Sequence, residues 1–269
     1  MRELRLSHYK KLNIMKQTEL KYMLDTFCFA SLAKIVTIDS DDNGNFLILD
    51  SSIHYMGGGG QRPSITYLSY QNEVFGKVNK AKYIEGQLKH YVESVPERLA
   101  AGDIISMQID RHSRVEDANY HTAGHWIASI VTENILLPLT PTKGFHYPNG
   151  AYVEFQGDKE CLPEDLLYMI EYAMRIDRQA NLNVTTEIIS YSEFEERRNE
   201  FALPQGFKPF TDRPLRIVEI VDYRPVCCGG NHVMDLNSLH PVSLSKVKIK
   251  NGRIRISYEV DVPQMIYPS

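Results

Sequence analysis

Two short segments, each with two metal-binding side chains four residues apart, constrain the fold of this chain more than any other feature. "HTAGH" carries His121 and His125, and "CCGGNH" carries Cys228 and His232. Imidazole nitrogen and thiolate sulfur are ligands that Zn²⁺ favours in tetrahedral geometry. The sequence therefore predicts one zinc site, and that site requires two distant segments of the chain to meet.

The spacing of each pair indicates how its side chains converge. His121 and His125 stand four residues apart on a predicted helix, so they lie on one face about a turn apart. Gly229 and Gly230 separate Cys228 from His232, and we expect both glycines to take positive φ so that the turn curls tightly. Either pair also occurs by chance as surface or core residues; the combination is what favours zinc. His232 is either a fourth ligand or a proton carrier beside the metal.

Composition sets the broad class of protein. The 269 residues include 43% hydrophobic and 24% charged residues, which is typical of a soluble globular chain. The net charge of −4 provides no global basic field for nucleic acid, so an RNA-binding role would need a local patch. Four cysteines, two of them adjacent, do not form the spaced framework of a secreted disulfide scaffold. Cys227, beside the predicted ligand Cys228, is expected to be a small buried residue.

No targeting or membrane segment is predicted. The opening "MRELRLSHYKKLNIMK" is basic but lacks the apolar core and cleavage site of a signal peptide. No run of about 18 apolar residues occurs, so no membrane span is expected. These features and the free thiols favour the cytoplasm.

The pattern of residues predicts an α+β fold in two parts. Residues 1–108 are rich in predicted strands, with a hairpin at Asn43-Gly44. Residues 109–269 alternate helices and strands without strict βαβ order. We expect Ser113 to cap the helix that carries both histidines, Ser192 and Glu195 to form a capping box, and Asn251-Gly252 to close the last hairpin.

These motifs resemble a known family. "HTAGH" with "CGGNH" resembles the HxxxH and CxxxH pair of the editing domain shared by alanyl- and threonyl-tRNA synthetases. "IHYMGGGGQRPS" is similar to the Tyr-x-x-Gly-Gly-Gly-Gln stretch of the alanyl type. The resemblance covers about residues 20 to 260, which leaves no room for an aminoacylation domain. The chain therefore resembles the stand-alone alanyl-tRNA editing proteins. The matching residues of the glycine stretch are Tyr55, Gly58, Gly59, Gly60 and Gln61.

The resemblance implies a fold and a function. The expected fold is a small N-terminal β-barrel carrying the glycine motif, followed by an α+β editing domain that contains zinc. The expected activity is zinc-assisted hydrolysis of the ester in mischarged tRNA(Ala), most of all Ser-tRNA(Ala) and also Gly-tRNA(Ala). The implied zinc ligands are His121, His125, Cys228 and His232, and the implied catalytic residues are His232 and Gln61. The implied contacts to substrate or tRNA are Gly58, Gly59, Gly60, Gln61 and Asn231.

Four positions depart from the family pattern and bear on amino-acid selectivity. Asn231 replaces a usual Thr, Arg62 follows Gln61, Ser64 replaces a common Asp, and Trp126 replaces a Leu after the second metal histidine. We expect these side chains near the pocket. Two alternatives follow: an editing deacylase of threonyl-type or altered specificity, and a non-catalytic tRNA-binding protein whose zinc is structural.

The glycine run and the basic residues each have two interpretations. The glycines either present backbone N–H groups to phosphate or form a flexible turn. The lysines of the last strands either track RNA phosphates or form a solvated face, and Arg111 and Arg114 are expected near an acceptor stem. The basic residues concerned are Lys77, Lys80, Lys82, Lys89, Lys246, Lys248, Lys250, Arg253 and Arg255.

Overall fold

The computed structural model describes residues 17–204, 206–211 and 213–264. The leading 16 residues, for which no signal peptide is predicted, lie outside this part of the chain. Among the described residues, none of the helices is both long and apolar enough to span a membrane.

A seven-stranded antiparallel sheet dominates the first hundred residues. Its order is β6-β5-β9-β2-β3-β8-β7. The long strand β2 is shared, because its first half pairs with β9 and its second half with β3. The short strands β1 and β4 pair with each other in parallel. The bounds are β1 Glu19–Leu20, β2 Ala30–Asp41, β3 Gly44–Leu49, β4 Ser51–Ser52, β5 Thr66–Tyr70, β6 Glu73–Lys77, β7 Lys80–Ile84, β8 Gln87–Val92 and β9 Ile104–Ile109.

The seven-stranded sheet does not close among the described residues, so the predicted closed β-barrel is wrong in this respect. Strands β6 and β7 form the two ends of the sheet although only Val78 and Asn79 separate them. The Val78 N–H donates to the Thr66 carbonyl, whereas the Asn79 N–H donates to the Tyr91 carbonyl. The Val78 amide thus bonds to β5, the neighbour of β6, and the Asn79 amide bonds to β8, the neighbour of β7. No hydrogen-bonded ladder joins β6 to β7 in the described residues.

The second part of the chain is mixed α and β, as predicted. Strands β10-β11-β16-β15 form one antiparallel sheet, and β12-β13-β14 form another. Helix α1 packs on the β10-β11-β16-β15 sheet and continues as one turn of π-helix. The bounds are α1 Arg111–Ser129, the π-helix Ile130–Asn134, β10 Thr140–Phe145, β11 Tyr152–Gln156, α2 Leu166–Ala180, β12 Val184–Ile189, α3 Tyr191–Glu196, β13 Leu215–Ile220, β14 Val226–Cys227, β15 Val242–Lys250 and β16 Arg253–Val260; 3₁₀ turns occupy Lys21–Met23, Lys159–Cys161 and Arg198–Glu200.

Both predicted helix caps are displaced by a few residues. The N-cap of α1 is Asp110, whose carboxylate accepts from the Ser113 N–H at 2.8 Å; Ser113 is therefore the residue being capped. The capping box of α3 joins Ser190 to Glu193, not Ser192 to Glu195, because the Ser190 hydroxyl accepts from the Glu193 N–H. The hairpins at Asn43-Gly44 and Asn251-Gly252 are confirmed.

Two large hydrophobic cores flank the junction between the two parts. One core lies within the seven-stranded sheet and includes Leu47, Leu68 and Met107. The other lies between α1, α2 and the β10–β16 sheet. Strand β9 ends at Ile109 and α1 begins at Arg111, so the helix that carries His121 and His125 starts where the seven-stranded sheet ends. The proposed domain boundary at 108/109 stays a prediction.

Arg114 is a structural anchor at this junction, so its predicted place near an acceptor stem is wrong. The side chain is 1% exposed. Its guanidinium donates to the carbonyls of Thr26 and Ile53 and to the Ser64 hydroxyl at 2.7–2.9 Å. Ser64, expected near the pocket, instead holds this buried cation. Burial without a carboxylate in hydrogen-bond contact lowers the pKa of Arg114 to about 10.

Trp126 is likewise a core residue and not a pocket residue. It is fully buried, and its indole N–H donates to Asp177 at 2.7 Å. Tyr223 donates to the same carboxylate oxygen at 2.7 Å. The departure at Trp126 therefore serves the packing of α1 against α2.

Candidate metal centre

Four side chains from two distant segments meet in one cluster. His121 and His125 come from α1, and Cys228 and His232 come from the turn after β14. Their ligand atoms all lie within 4.8 Å of one another. His121, Cys228 and His232 are buried, whereas His125 is partly exposed. The cluster is therefore open toward solvent on the side of His125.

Two of the separations between the candidate ligand atoms fit a zinc ion. The Cys228 sulfur lies 3.5 Å from His121 Nε2 and 3.4 Å from His232 Nε2. Tetrahedral zinc with bonds of about 2.3 Å to sulfur and about 2.1 Å to nitrogen would place those atoms about 3.6 Å apart. The donor set of one sulfur and three imidazoles is also one that zinc favours.

Gln61 fixes which nitrogen of His121 faces the cluster. Gln61 Oε1 accepts from His121 Nδ1 at 2.8 Å and from the Asn231 backbone N–H at 2.8 Å. Because a backbone N–H can only donate, the atom that it meets must be the amide oxygen, and His121 Nδ1 must then carry a proton. His121 Nε2 is left with a lone pair directed at the cluster, as a metal ligand requires.

Thr122 likewise fixes which nitrogen of His232 faces the cluster. The Thr122 hydroxyl donates to the Ala118 carbonyl at 2.8 Å, so it can only accept from His232 Nδ1 at 3.1 Å. It also accepts from the Val233 N–H at 3.1 Å. His232 Nε2 therefore presents its lone pair 3.4 Å from the Cys228 sulfur.

The glycine pair of "CGGNH" does not adopt the predicted positive φ; its role is to allow close packing of the turn against His121. Neither Gly229 nor Gly230 has positive φ. A Cβ added to Gly230 would lie 2.0 Å from His121 Cε1, while one added to Gly229 would meet nothing within 4 Å. Gly230 thus lets the turn pack directly against the imidazole of His121.

The upstream glycine run is a tight turn that directs Gln61 inward. Gly58 and Gln61 exchange backbone hydrogen bonds of 2.9–3.0 Å, and Gly58, Gly59 and Gly60 all have positive φ. The Tyr55 hydroxyl donates to the Gly58 carbonyl at 2.9 Å. Gln61 is consequently buried beside His121. The structure brings this run against the metal cluster, whereas its contact with phosphate stays a prediction.

Burial keeps the ligand imidazoles neutral. Desolvation lowers the pKa of His125 to about 4, and the pKa values of His121 and His232 lie well below the usual value for the same reason. Burial raises the pKa of the Cys228 thiol, while the Gly230 N–H and the Arg216 cation favour its thiolate. Arg216 is held in place by its bond to the Gly230 carbonyl at 2.5 Å.

His146 is a further residue of the centre that sequence reasoning missed. Its ring stacks on that of His121 with centroids 4.9 Å apart. Its Nδ1 contacts the Tyr258 hydroxyl at 2.7 Å, and that hydroxyl donates to the Tyr120 carbonyl. Burial lowers the pKa of His146 to about 3. No partner at metal-ligand spacing accompanies His146 in the sequence, so only the tertiary fold reveals it.

Of the remaining departures from the family pattern, Asn231 borders the centre, whereas Arg62 pairs with two carboxylates of α1. Asn231 is fully buried; its side-chain oxygen accepts from Gln61 Nε2 at 2.8 Å, and its side-chain nitrogen has no hydrogen-bond partner among the described residues. Arg62 lies 2.7 Å from the Asp117 carboxylate and 2.5 Å from that of Glu116. Burial raises the pKa of Asp117 to about 7 although Arg62 opposes the shift.

Comparison with known proteins shows similarity to alanine–tRNA ligases. No protein-family model matches the chain. The alanine–tRNA ligase of Methanosarcina acetivorans is 27% identical over 84% of this chain, and that of Korarchaeum cryptofilum is 28% identical over 81%. The chain spans only 24% of the length of each ligase. It is thus a homologue of one part of these synthetases.

One relative matches this chain over nearly its own whole length. The alanyl-tRNA editing protein AlaX-M of Methanosarcina barkeri is 26% identical over 90% of this chain and 98% of that protein. The predicted resemblance to the stand-alone alanyl-tRNA editing proteins, and to the synthetases related to them, is confirmed.

Proposed function

We propose that this protein is a zinc-dependent deacylase that hydrolyses mischarged tRNA(Ala) in the cytoplasm. The observation that carries the proposal is the convergence of His121, His125, Cys228 and His232 within 4.8 Å. The name of a full-length relative, an alanyl-tRNA editing protein, supports the substrate class. The site also opens toward solvent at His125, which gives an acceptor end a direction of approach.

The four clustered side chains would be the zinc ligands, with His232 as the fourth. His232 suits ligation because its Nδ1 is engaged by Thr122 and its Nε2 faces Cys228. Zinc held there would supply Lewis-acid polarisation for ester hydrolysis. The surrounding residues bury three of the four side chains and hold His121 and His232 in the tautomer that ligation needs.

Gln61 would act as a positioning residue. Both ends of its amide are engaged inside the protein, the oxygen by His121 and Asn231 and the nitrogen by Asn231. Its contribution to hydrolysis would therefore pass through His121. Asn231, whose side-chain nitrogen has no partner among the described residues, is the group next to the ligands that remains able to donate a further hydrogen bond.

Replacement of Gln61 by Leu tests this positioning role. We expect the zinc affinity to fall roughly 10- to 100-fold, because His121 loses the acceptor that fixes its tautomer. Competition with a chromophoric chelator measures the change. Gln61→Glu, which keeps an acceptor for His121 Nδ1, should retain more affinity than Gln61→Leu. Equal zinc affinity in Gln61→Leu and the unmodified protein would contradict the role.

The substrate class follows from the chemistry of misacylation. Serine differs from alanine by one hydroxyl and glycine by one methyl group, differences that an amino-acid pocket discriminates poorly and that a second hydrolytic site can correct. We expect release of serine from Ser-tRNA(Ala), with Gly-tRNA(Ala) as a further substrate and Ala-tRNA(Ala) spared.

A deacylation panel tests the proposed function. The protein is incubated with Ser-tRNA(Ala), Gly-tRNA(Ala), Ala-tRNA(Ala) and Ser-tRNA(Thr), each with and without chelator. Chelator-sensitive release from the first two supports the proposal. Release from Ser-tRNA(Thr) instead would indicate threonyl-type specificity, and tight tRNA binding without any release would indicate a binding protein with structural zinc.

A further inference from the structure

The loop that carries Gln61 is attached to helix α1 on two successive turns. Gln61 Oε1 accepts from His121 Nδ1, and the next residue, Arg62, forms an ion pair with Asp117. Asp117 precedes His121 by four residues, so both lie on one face of α1, about 6 Å apart along its axis. Two neighbouring residues of the loop thus contact two points of the helix, and the second contact restricts rotation about the first.

The ion pairs of Arg62 involve two carboxylates and are partly shielded from water. Arg62 Nη2 lies 2.5 Å from Glu116 Oε2, and Arg62 Nε lies 2.7 Å from Asp117 Oδ1. The Asp117 side chain is 2% exposed and that of Arg62 is 33% exposed. A buried carboxylate is costly unless a cation accompanies it. Burial raises the pKa of Asp117 to about 7 even with Arg62 beside it, so the charge of Asp117 depends on this guanidinium.

The segment that precedes Gln61 restrains its side chain only weakly. Residues 58–60 are all glycines with positive φ, and glycine has more backbone freedom than any other residue. The Gln61 amide itself makes uncharged hydrogen bonds, to His121 and to Asn231. Contacts between charged groups are stronger than neutral hydrogen bonds. The ion pairs of Arg62 are therefore the strongest attachment next to Gln61.

We propose that Arg62, through its ion pairs with the two carboxylates of α1, positions the Gln61 amide on His121 and Asn231. Arg62 is then a positioning residue that acts on the metal centre through Gln61. This role accounts for a departure from the family pattern without any contact between Arg62 and a substrate. The inference rests on the proposed function for what the metal centre does, whereas the contact itself requires no metal.

Hydrogen exchange of the Asn231 backbone amide tests the proposal in the protein as purified. This N–H donates to Gln61 Oε1 at 2.8 Å, so its exchange reports whether the Gln61 side chain is held. In Arg62→Ala we expect exchange about 10-fold faster, within the range for loss of one charge-assisted contact. Arg62→Lys keeps a cation beside the carboxylates and should restore most of the protection. The Cys228 N–H, which donates to the Arg216 carbonyl, is the internal control and should be unchanged.

Two double variants separate positioning from a general loss of stability. Gln61→Leu already removes the acceptor of the Asn231 N–H, so adding Arg62→Ala should cause no further acceleration. A merely structural role of Arg62 would accelerate exchange by the same factor in both backgrounds. Arg62→Ala combined with Asp117→Asn leaves Asp117 without an unpaired buried charge, and exchange of the Asn231 amide should be as fast as in Arg62→Ala alone.

Three results would overturn the proposal. They are unchanged exchange of the Asn231 amide in Arg62→Ala, equal acceleration with and without Gln61, and recovery of protection when Asp117→Asn is added. Zinc affinity, measured by competition with a chelator, should fall about 10-fold in Arg62→Ala, because His121 is oriented less firmly. If the unmodified protein neither bound zinc nor released amino acid from tRNA, the proposed function would fail, and the exchange rates would still decide the role of Arg62.

Discussion

Gly230→Ala is expected to destroy the metal centre although it adds only one methyl group. The new Cβ would lie 2.0 Å from His121 Cε1, 2.2 Å from His121 Nδ1 and 2.9 Å from Gln61 Oε1. Real Cβ contacts do not approach so closely, so either the imidazole or the turn must move. We expect zinc affinity to fall roughly 100-fold or more, since both a ligand and the residue that orients it are displaced.

Gly229→Ala is the matched control for this change. It adds the same methyl group one residue earlier, where nothing lies within 4 Å, and neither glycine has positive φ. Zinc content, measured by elemental analysis after gel filtration, should be normal in Gly229→Ala and lost in Gly230→Ala. Equal zinc content in the two variants would contradict the close packing of Gly230 on His121.

Cys228→Ala is expected to remove bound zinc and hydrolysis together. Structural zinc binding of about 12 kcal/mol shared among four ligands corresponds to about 3 kcal/mol for one ligand, or a loss in affinity of more than a hundredfold. The set of ligands would also lose its one anionic member and would consist of three neutral imidazoles. Zinc content and the rate of serine release from Ser-tRNA(Ala) should therefore fall in parallel.

Cys227→Ala provides the corresponding control. Cys227 pairs with Ile217 in the sheet and packs against a separate cluster that includes Phe194 and Leu215. Burial raises the pKa of its thiol to about 12, so it remains protonated at neutral pH. We expect normal zinc content and turnover in this variant. If Cys227→Ala loses zinc while Cys228→Ala retains it, the ligand assignment is wrong.

The metal cluster could be predicted from the sequence because its ligands come as two local pairs. Helical spacing places His121 and His125 together, and a short turn joins Cys228 to His232. The residues that orient these four side chains could not be identified from sequence spacing. Thr122 lies beside His121 in sequence, yet it serves His232, 110 residues away. His146 has no sequence partner at all, and only the packing of β10 against α1 brings it to His121.

The departures from the family pattern show why sequence position alone misplaces residues. Trp126 directly follows His125 but points from the other face of α1 into the core, where its indole N–H donates to Asp177. Ser64 lies three residues after Gln61, yet it accepts from the buried Arg114. The prediction of a closed barrel was wrong for a different reason. Residue composition predicts individual strands, whereas closure of the sheet depends on the hydrogen bonds made at Val78 and Asn79.

The central claim is that one zinc ion, held by the two segments, is required for ester hydrolysis. The most direct measurement is a titration of metal-depleted protein with zinc, in which serine release from Ser-tRNA(Ala) is recorded at each addition. We predict that activity rises linearly and saturates at one zinc per chain, and that Cys228→Ala shows no such rise. Full activity before any zinc is added, in protein that elemental analysis shows to be free of metal, would contradict the account.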